Sequence, residues 1–333
     1  MLVFGKQFTK GNKSKIGGVI QLFELFKNEL NSLNINYEVV DLNWRNYHNR
    51  LFAYAYIIYS ILSKSRKHSV ISFHGTANEF MYLAPIAVLV GKIFNKKVYL
   101  RKFAGNFDEV HRRSGFIKKK LIEYALINSH HNFFETKYLV NYFRYFNKTS
   151  WFPNVRTKLD IDSSKSYQKK FIFVGHISKE KGVRELLKAF AILKPEYSLC
   201  IYGPLHDGFT EHNINSKNVL YGGILDASDV CHTISKFDVL ILPSYREGYP
   251  GVIIEAFSVG IPVIATSLEG VKEMVTHLHD GILIEPRDFN SIYHSIISLD
   301  ENTVINMKAN AKTSFNHYDS NIVTRRIIRK MCP

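Results

Sequence analysis

The residues of this chain whose types and spacing could do chemistry lie between Pro243 and Thr266, in PSYREGYPGVIIEAFSVGIPVIAT. Two carboxylates, Glu247 and Glu255, stand eight positions apart there. Before them Asp238-Val239-Leu240-Ile241-Leu242 reads as a buried parallel strand, and after them Pro262-Val263-Ile264-Ala265 reads as another. Between the strands Pro250 opens a helix at its first position, where a missing N–H costs nothing, and Gly260 ends it. Glu247 then sits in the loop at the carboxyl end of a strand, where open α/β sheets bind ligands. Glu255 lies roughly 7 Å further along the helix axis, at about 1.5 Å per residue. Two acceptors so placed could hold hydroxyls on two rings of one ligand, and a diphosphate between the rings would meet the free N–H groups and positive end of the helix. Taken alone, such a pair is equally a solvated surface feature.

A second segment repeats the construction. In FVGHISKEKGVRELLKAF, Phe171 to Val174 reads as a strand, Gly175 to Lys181 as a turn, and the remainder as a helix with Leu186, Leu187 and Phe190 on one face. Lys181 stands at the mouth of the turn, a mobile cation where a leaving diphosphate needs charge compensation. An isolated Lys-Gly pair is commonly solvent-facing, but beside the two glutamates it favours phosphate binding.

In order and spacing, Gly175-x5-Lys181-Gly182, Ile201-Tyr202-Gly203, Tyr221-Gly222, Glu247-Gly248-x-Pro250-x4-Glu255-Ala256 and Gly270-x2-Glu273 resemble the retaining, nucleotide-sugar-dependent glycosyltransferases of family 4. The likeness is strong over residues 170 to 290 and weak over the first 150. It implies an α/β architecture of GT-B type: two Rossmann-like domains with a cleft between them, the donor held mainly by the second and the acceptor mainly by the first. By the same resemblance Lys181 touches the donor diphosphate, Glu247 holds the sugar and Glu255 the ribose. Gly18, Gly175, His176, Gly222, Leu225, Gly248, Tyr249 and Pro250 complete the expected donor site, with Gly222 to Leu225 beside the base. Lys181 and Glu247 are the expected catalytic residues. No enzymic nucleophile is expected, because the family's retention is ascribed to attack from the leaving-group face.

One position departs from the family, which usually has arginine where this chain has His176. Imidazole has fewer donors and is charged near neutrality only beside an anion. Donor binding is therefore expected to weaken as pH rises above neutral, and His176→Arg to tighten it. Arg184 and Arg246 are alternative sources of the missing charge.

The 333 residues exceed what one core serves, and 46% hydrophobic with 22% charged content is that of a folded protein. Polar residues around Asp160 to Ser166 break the apolar pattern. The expected division is an acceptor domain over 1–152, a linker over 153–168, a donor domain over 169–300, and helices over 301–333 packing back across both. Asp160-x-Asp162 looks like the metal-binding pair of the other large glycosyltransferase fold, but it lies in this linker and not at a strand end. Neither metal nor cofactor is expected, the nucleotide diphosphate sugar being a substrate.

The first half reads as strands at Leu2 to Phe4, Tyr37 to Val40, Val70 to Phe73, Val98 to Phe103 and Asn132 to Glu135, with a helix from Val19 to Leu30 opened by Gly17-Gly18. A glycine pair there lets backbone approach a phosphate. His74, Arg101, Lys102 and Asn106 follow or end two of these strands and are the candidates for binding the acceptor, a saccharide or lipid-linked saccharide.

Lys and Arg total 44 against 29 Asp and Glu, a formal net charge of +15. Between Lys92 and Lys120 ten basic residues face only Asp108 and Glu109, with Phe94, Tyr99, Phe103, Phe107 and Phe116 interleaved. Such a patch attracts phosphates and suits an anionic membrane surface. The apolar run Leu51 to Leu62 is followed by Lys64, Arg66 and Lys67. It is too short to span a bilayer, which takes about 20 residues, and is expected as a buried helix, with a shallow interfacial anchor as the alternative. The start, MLVFGKQF, reads as a strand and not as a signal peptide. Cys200, Cys231 and Cys332 have no metal-like spacing and suit a reducing cytoplasm. The expected enzyme is thus cytoplasmic, peripheral at the membrane's inner face, and engaged in polysaccharide or glycolipid assembly. Other readings are a sugar-nucleotide epimerase of the same fold, a phosphorylase, and a basic nucleic-acid-binding protein. The last accounts for the charge but not for the glutamates or the Lys-Gly turn, so no nucleic acid is expected.

Overall fold

The structure is a computed structural model that describes residues 1–9, 18–103, 105, 107–161, 163 and 166–332. The chain divides into two compact units, 1–155 with 320–333, and 156–319. Arg156 and Asp319 pair as an isolated parallel bridge, so both chain crossings leave the second unit at one place.

The first unit holds a six-stranded sheet in the order β2-β1-β3-β4-β5-β6. Its strands are β1 (Leu2–Gly5), β2 (Glu38–Asp41), β3 (Val70–Gly75), β4 (Lys97–Lys102), β5 (His131–Phe134) and β6 (Thr149–Trp151), all paired parallel. Its helices are α1 (Gly18–Ser32), α2 (Arg50–Lys64), α3 (Ala77–Tyr82), α4 (Ala84–Ile93), α5 (Phe107–Arg113), α6 (Phe116–Asn128), α7 (Lys137–Tyr142) and the last of the chain, α15 (Ser320–Met331). Alternation along the strands sends Phe4, Ile71, Phe73 and Leu100 into one core with α2, α4 and α6. Val3, Tyr99 and Phe133 point the other way, into a core with α1 and α15.

The second unit repeats the plan with the order β12-β11-β10-β7-β8-β9. In chain order it runs β7 (Lys170–Val174), α8 (Val183–Ile192), β8 (Ser198–Tyr202), α9 (Glu211–Ile214), β9 (Val219–Tyr221), α10 (Val230–Ile234), β10 (Val239–Leu242), α11 (Gly251–Ser258), β11 (Val263–Thr266), α12 (Glu269–Lys272), β12 (Gly281–Ile284), α13 (Phe289–Ile297) and α14 (Glu301–Ser314). Successive strands run outward from β7 to β9 and then restart beside β7 at β10. The carboxyl ends of β7 and β10 therefore flank the point where strand order reverses, at which open α/β sheets hold ligands. At the opposite, amino ends of the same two strands the buried Asp238 joins them: its carboxylate accepts from the Gln168 and Lys170 backbone N–H groups at 2.8 and 3.0 Å and from Lys308 Nζ at 2.9 Å.

The strands read from the sequence lie within a residue or two of these. The short strands β6 and β9 carry too few residues for a pattern. The C-terminal segment divides: α14 buries Val304 and Met307 in the second unit, while α15 buries Val323, Ile327 and Ile328 in the first. The run Leu51 to Leu62 corrects an expectation, since α2 buries only Ala53, Ile57, Ser60 and Ile61 and leaves Leu51, Phe52, Tyr59 and Leu62 half or more exposed. One sheet face accepts one stripe of a helix, and this helix is apolar on both sides.

Candidate functional site

Glu247 and Lys181 meet because two loops are stitched together. After β7 the chain makes a single tight helical turn, Lys179–Lys181, closed by Lys181 N–H to the Ser178 carbonyl at 3.2 Å and Gly182 N–H to the Lys179 carbonyl at 3.0 Å. Gly182 has φ +68°, and a Cβ there would lie 2.0 Å from the Pro243 carbonyl oxygen, so the turn rests directly on the chain leaving β10. Tyr245 bonds the other way, its N–H to the Glu180 carbonyl at 2.8 Å and its hydroxyl to Glu185 at 2.6 Å. Lys181 Nζ then lies 2.5 Å from Glu247 Oε1, which also accepts from Ser244 Oγ at 2.7 Å. The side chains are 28% and 11% exposed, shielded enough that the pair is more than a surface contact and open enough to reach a ligand.

Glu255 sits in the second turn of α11. Pro250 is the residue before the helix and Gly251 the first within it, one position later than the sequence reading, because Pro250 has an extended ψ of 117°. Arg156 Nε and one terminal nitrogen both reach Glu255 Oε1, at 2.8 and 2.7 Å. A Cβ on Gly251 would stand 2.2 Å from that guanidinium, so only glycine lets the arginine lie along the first turn. Gly270 approaches the Gly248 carbonyl as closely, a Cβ there falling 1.7 Å from its oxygen. Tyr249 is buried, its hydroxyl 3.4 Å from that of Tyr318. The start of α11 carries the unpaired N–H groups and positive end typical of a helix N-terminus, framed by Lys181 with Glu247 and by Arg156 with Glu255.

Gly175 donates to the Tyr202 carbonyl at 3.0 Å and Gly203 to that of Gly223 at 2.8 Å, which ties the ends of β7, β8 and β9 together. Gly222 and Leu225 lie in the loop after β9, Gly222 donating to the Ile201 carbonyl at 2.9 Å. His176 stacks on His206, ring centroids 4.9 Å apart. Burial first, then His206 and Lys181, push its proton affinity below the usual histidine range. The neighbours of His176 are thus a second imidazole and a lysine, not the expected anion. Arg184 and Arg246 are exposed, and the guanidinium at α11 is that of Arg156.

In the first unit Gly18 is the first residue of α1, while Gly17 and Asn106 lie outside the described residues. The structure takes the other three acceptor candidates off the surface. His74 is buried among Phe23, Phe26 and Phe103, with Nε2 at 2.8 Å from Ser72 Oγ, and burial followed by Arg101 holds it neutral. Arg101 is 1% exposed, lies 3.4 Å from the centroid of the Phe152 ring, and donates to the Pro153 carbonyl at 3.1 Å. Lys102 bonds the Phe103 carbonyl and lies over the Phe107 ring. Burial, partly offset by Glu135, pulls Arg101 down to about 9 and Lys102 down to about 8. All three sit on strands covered on both faces, where a side chain at the strand end is still interior.

Sequence reasoning missed Arg156, Ser244, Tyr245 and His206. Arg156 falls in the segment read as linker, where no periodicity marks a position as packed, and its partner is 99 residues away.

Residues 155–314 match the family described as glycosyl transferases group 1. The match covers all but the last few residues of the second unit. Over 154 residues the chain is 27% identical to the N,N'-diacetylbacillosaminyl-diphospho-undecaprenol alpha-1,3-N-acetylgalactosaminyltransferase of Campylobacter jejuni, covering 45% of this chain and 40% of that one. It is 31% identical over 137 residues to the capsular polysaccharide biosynthesis glycosyltransferase CapM of Staphylococcus aureus, covering 38% and 35%. The matched segment thus spans less than half the length of these curated relatives. The structure of Anabaena HepE in complex with UDP is similar over 99% of this chain and 98% of that one, with a TM-score of 0.74 at 13% identity. At that identity the likeness shows the fold alone, and the fold is GT-B: two parallel six-stranded Rossmann-like sheets, each with its helices.

Proposed function

We propose that this protein is a retaining glycosyltransferase that moves a sugar from a nucleotide diphosphate sugar to an acceptor hydroxyl in polysaccharide or glycolipid assembly. The observation that carries it is the pairing of Lys181 with Glu247 and of Arg156 with Glu255 on either side of the α11 N-terminus, at the reversal of strand order. A donor set of this kind suits a diphosphate flanked by two hydroxylated rings. Glu247 would take hydroxyls of the transferred sugar and Glu255 those of the ribose. The diphosphate would draw Lys181 off Glu247, and as the bond from the anomeric carbon to phosphate breaks, negative charge grows where that ammonium and the helix N–H groups stand. Attack from the leaving-group face lets the departing phosphate take the acceptor proton, and no metal is needed to offset its charge. The relatives support the setting: one is named for a diphospho-undecaprenol-linked substrate, another for capsule synthesis, and HepE holds UDP.

A cytoplasmic, membrane-peripheral location fits that reading. No helix among the described residues is long and apolar enough to cross a membrane. Of the patch from Lys92 to Lys120, Arg101 and Lys102 are interior and Lys120 pairs with Glu123 at 3.2 Å, while Lys97, Lys118 and Lys119 are exposed and available to lipid phosphates. The test is a thermal-shift panel of nucleotide diphosphate sugars. One of them should raise the melting temperature in a dose-dependent way, with the shift reduced in Glu255→Ala; a flat response to all of them overturns the reading.

A further inference from the structure

The outward face of α2 is an apolar stripe on a basic surface. Asn49 accepts the Phe52 N–H at 2.8 Å and caps a regular helix. Leu51, Phe52, Tyr59 and Leu62 then follow each other on its solvent side, Leu51 84% and Tyr59 64% exposed. Neighbouring α4 adds Leu89 and Ile93, one turn apart and both exposed. Large apolar side chains grouped this way mark a contact surface, whereas single ones do not.

The charge around the stripe selects what covers it. From Leu42 to Phe107 the chain has ten Lys and Arg, of which Arg101 and Lys102 are interior, and one acid, Glu79, which pairs with Lys6 at 3.1 Å. Arg45 and Arg50 are exposed at the amino end of α2 and Arg66 and Lys67 beyond its carboxyl end, whereas Lys64 is neutralised by Glu38 at 2.8 Å. Arg66 lies over the Phe94 ring at 4.8 Å and its carbonyl accepts from Lys96 Nζ at 3.1 Å, so the ends of α2 and α4 form one cationic margin. A second copy of this chain would bring like charges together over the stripe. A nucleic acid would satisfy the cations but offers no apolar phase for Leu51, Leu62 or Ile93. A bilayer with anionic headgroups meets both demands, with tyrosines at the level where amphipathic rings settle.

We propose that the α2–α4 face of the first unit is the surface by which this protein lies on an anionic phospholipid membrane, the α2 stripe entering the headgroup region. The inference stands apart from sugar transfer, because vesicle binding is read without donor or acceptor. The experiment is flotation of the full chain with vesicles of phosphatidylcholine alone and of phosphatidylcholine mixed with phosphatidylglycerol. Binding is expected to the mixed vesicles, to weaken with salt, and to fall by about tenfold or more in Arg66→Glu/Lys67→Glu. A comparable loss is expected in Leu51→Glu/Tyr59→Glu, whose exposed positions leave the melting temperature unchanged. In Tyr59→Trp, brominated acyl chains should quench the added fluorescence. The proposal is overturned if the protein ignores mixed vesicles, if Leu51→Glu/Tyr59→Glu binds them as the parent does, or if that variant changes only self-association.

Discussion

Lys181→Ala is the substitution that bears most directly on sugar transfer. In the free protein the ammonium lies 2.5 Å from Glu247 and is 28% exposed, so it works in a partly shielded setting, not in bulk water. At about 3 Å and an effective dielectric near 20, one unit charge on the leaving oxygen would interact with it by about 5 kcal/mol. Only the charge that develops between ground and transition state accelerates the step. If that is roughly half a unit, about 3 kcal/mol is lost, which corresponds to a fall in turnover on the order of 100-fold. Ser244 still donates to Glu247 in the variant, so the loop should stay in place. The assay is release of nucleoside diphosphate at saturating donor and acceptor, with a thermal melt to confirm folding. A folded Lys181→Ala protein that turns over like the parent would refute the leaving-group role.

Glu255→Ala should raise the donor KM with little change in kcat, and Arg156→Ala should do the same less strongly. Because both partners share one contact, the double variant should cost less than the two single losses combined, and strict additivity in steady-state kinetics would separate Arg156 from the action of Glu255. His176 holds its proton below the usual range in the free protein, and a bound diphosphate should raise that affinity. Donor binding should therefore take up a proton and tighten as pH falls from mildly basic to mildly acidic, while His176→Arg should bind more tightly and lose that dependence; equal slopes in calorimetric titrations would remove His176 from the site. Gly182→Ala should destabilise the second unit by about 3 kcal/mol or more, since it combines a left-handed backbone with a clash against Pro243, and an unchanged urea midpoint would contradict the close approach of the two loops.

The second unit was the more legible half, for a reason visible in particular residues. Lys181-Gly182 and Glu247 sit in loops that follow short strands with apolar interiors, and Glu255 in the helix that follows the second loop, so local pattern alone assigned them to one edge of a sheet. In the first unit the same rule placed His74, Arg101 and Lys102 at strand ends but said nothing of their neighbours, which proved to be Phe23, Phe26, Phe103, Phe107 and Phe152. Helix α2 shows the converse, an apolar run read as interior whose outer half has nothing over it among the described residues.

The amino-acid sequence by itself determined the alternation of strand and helix, the doubled parallel plan, and the identity of the lysine and the two glutamates, because these depend on periodicity and on spacing within one loop and helix. Only the tertiary structure decided that Arg156 reaches Glu255, that Gly182 seats its turn on Pro243, and which charged residues are interior. Those facts depend on the meeting of segments 60 to 99 residues apart, and hydropathy along a chain holds no record of which surfaces will face each other once the sheets close.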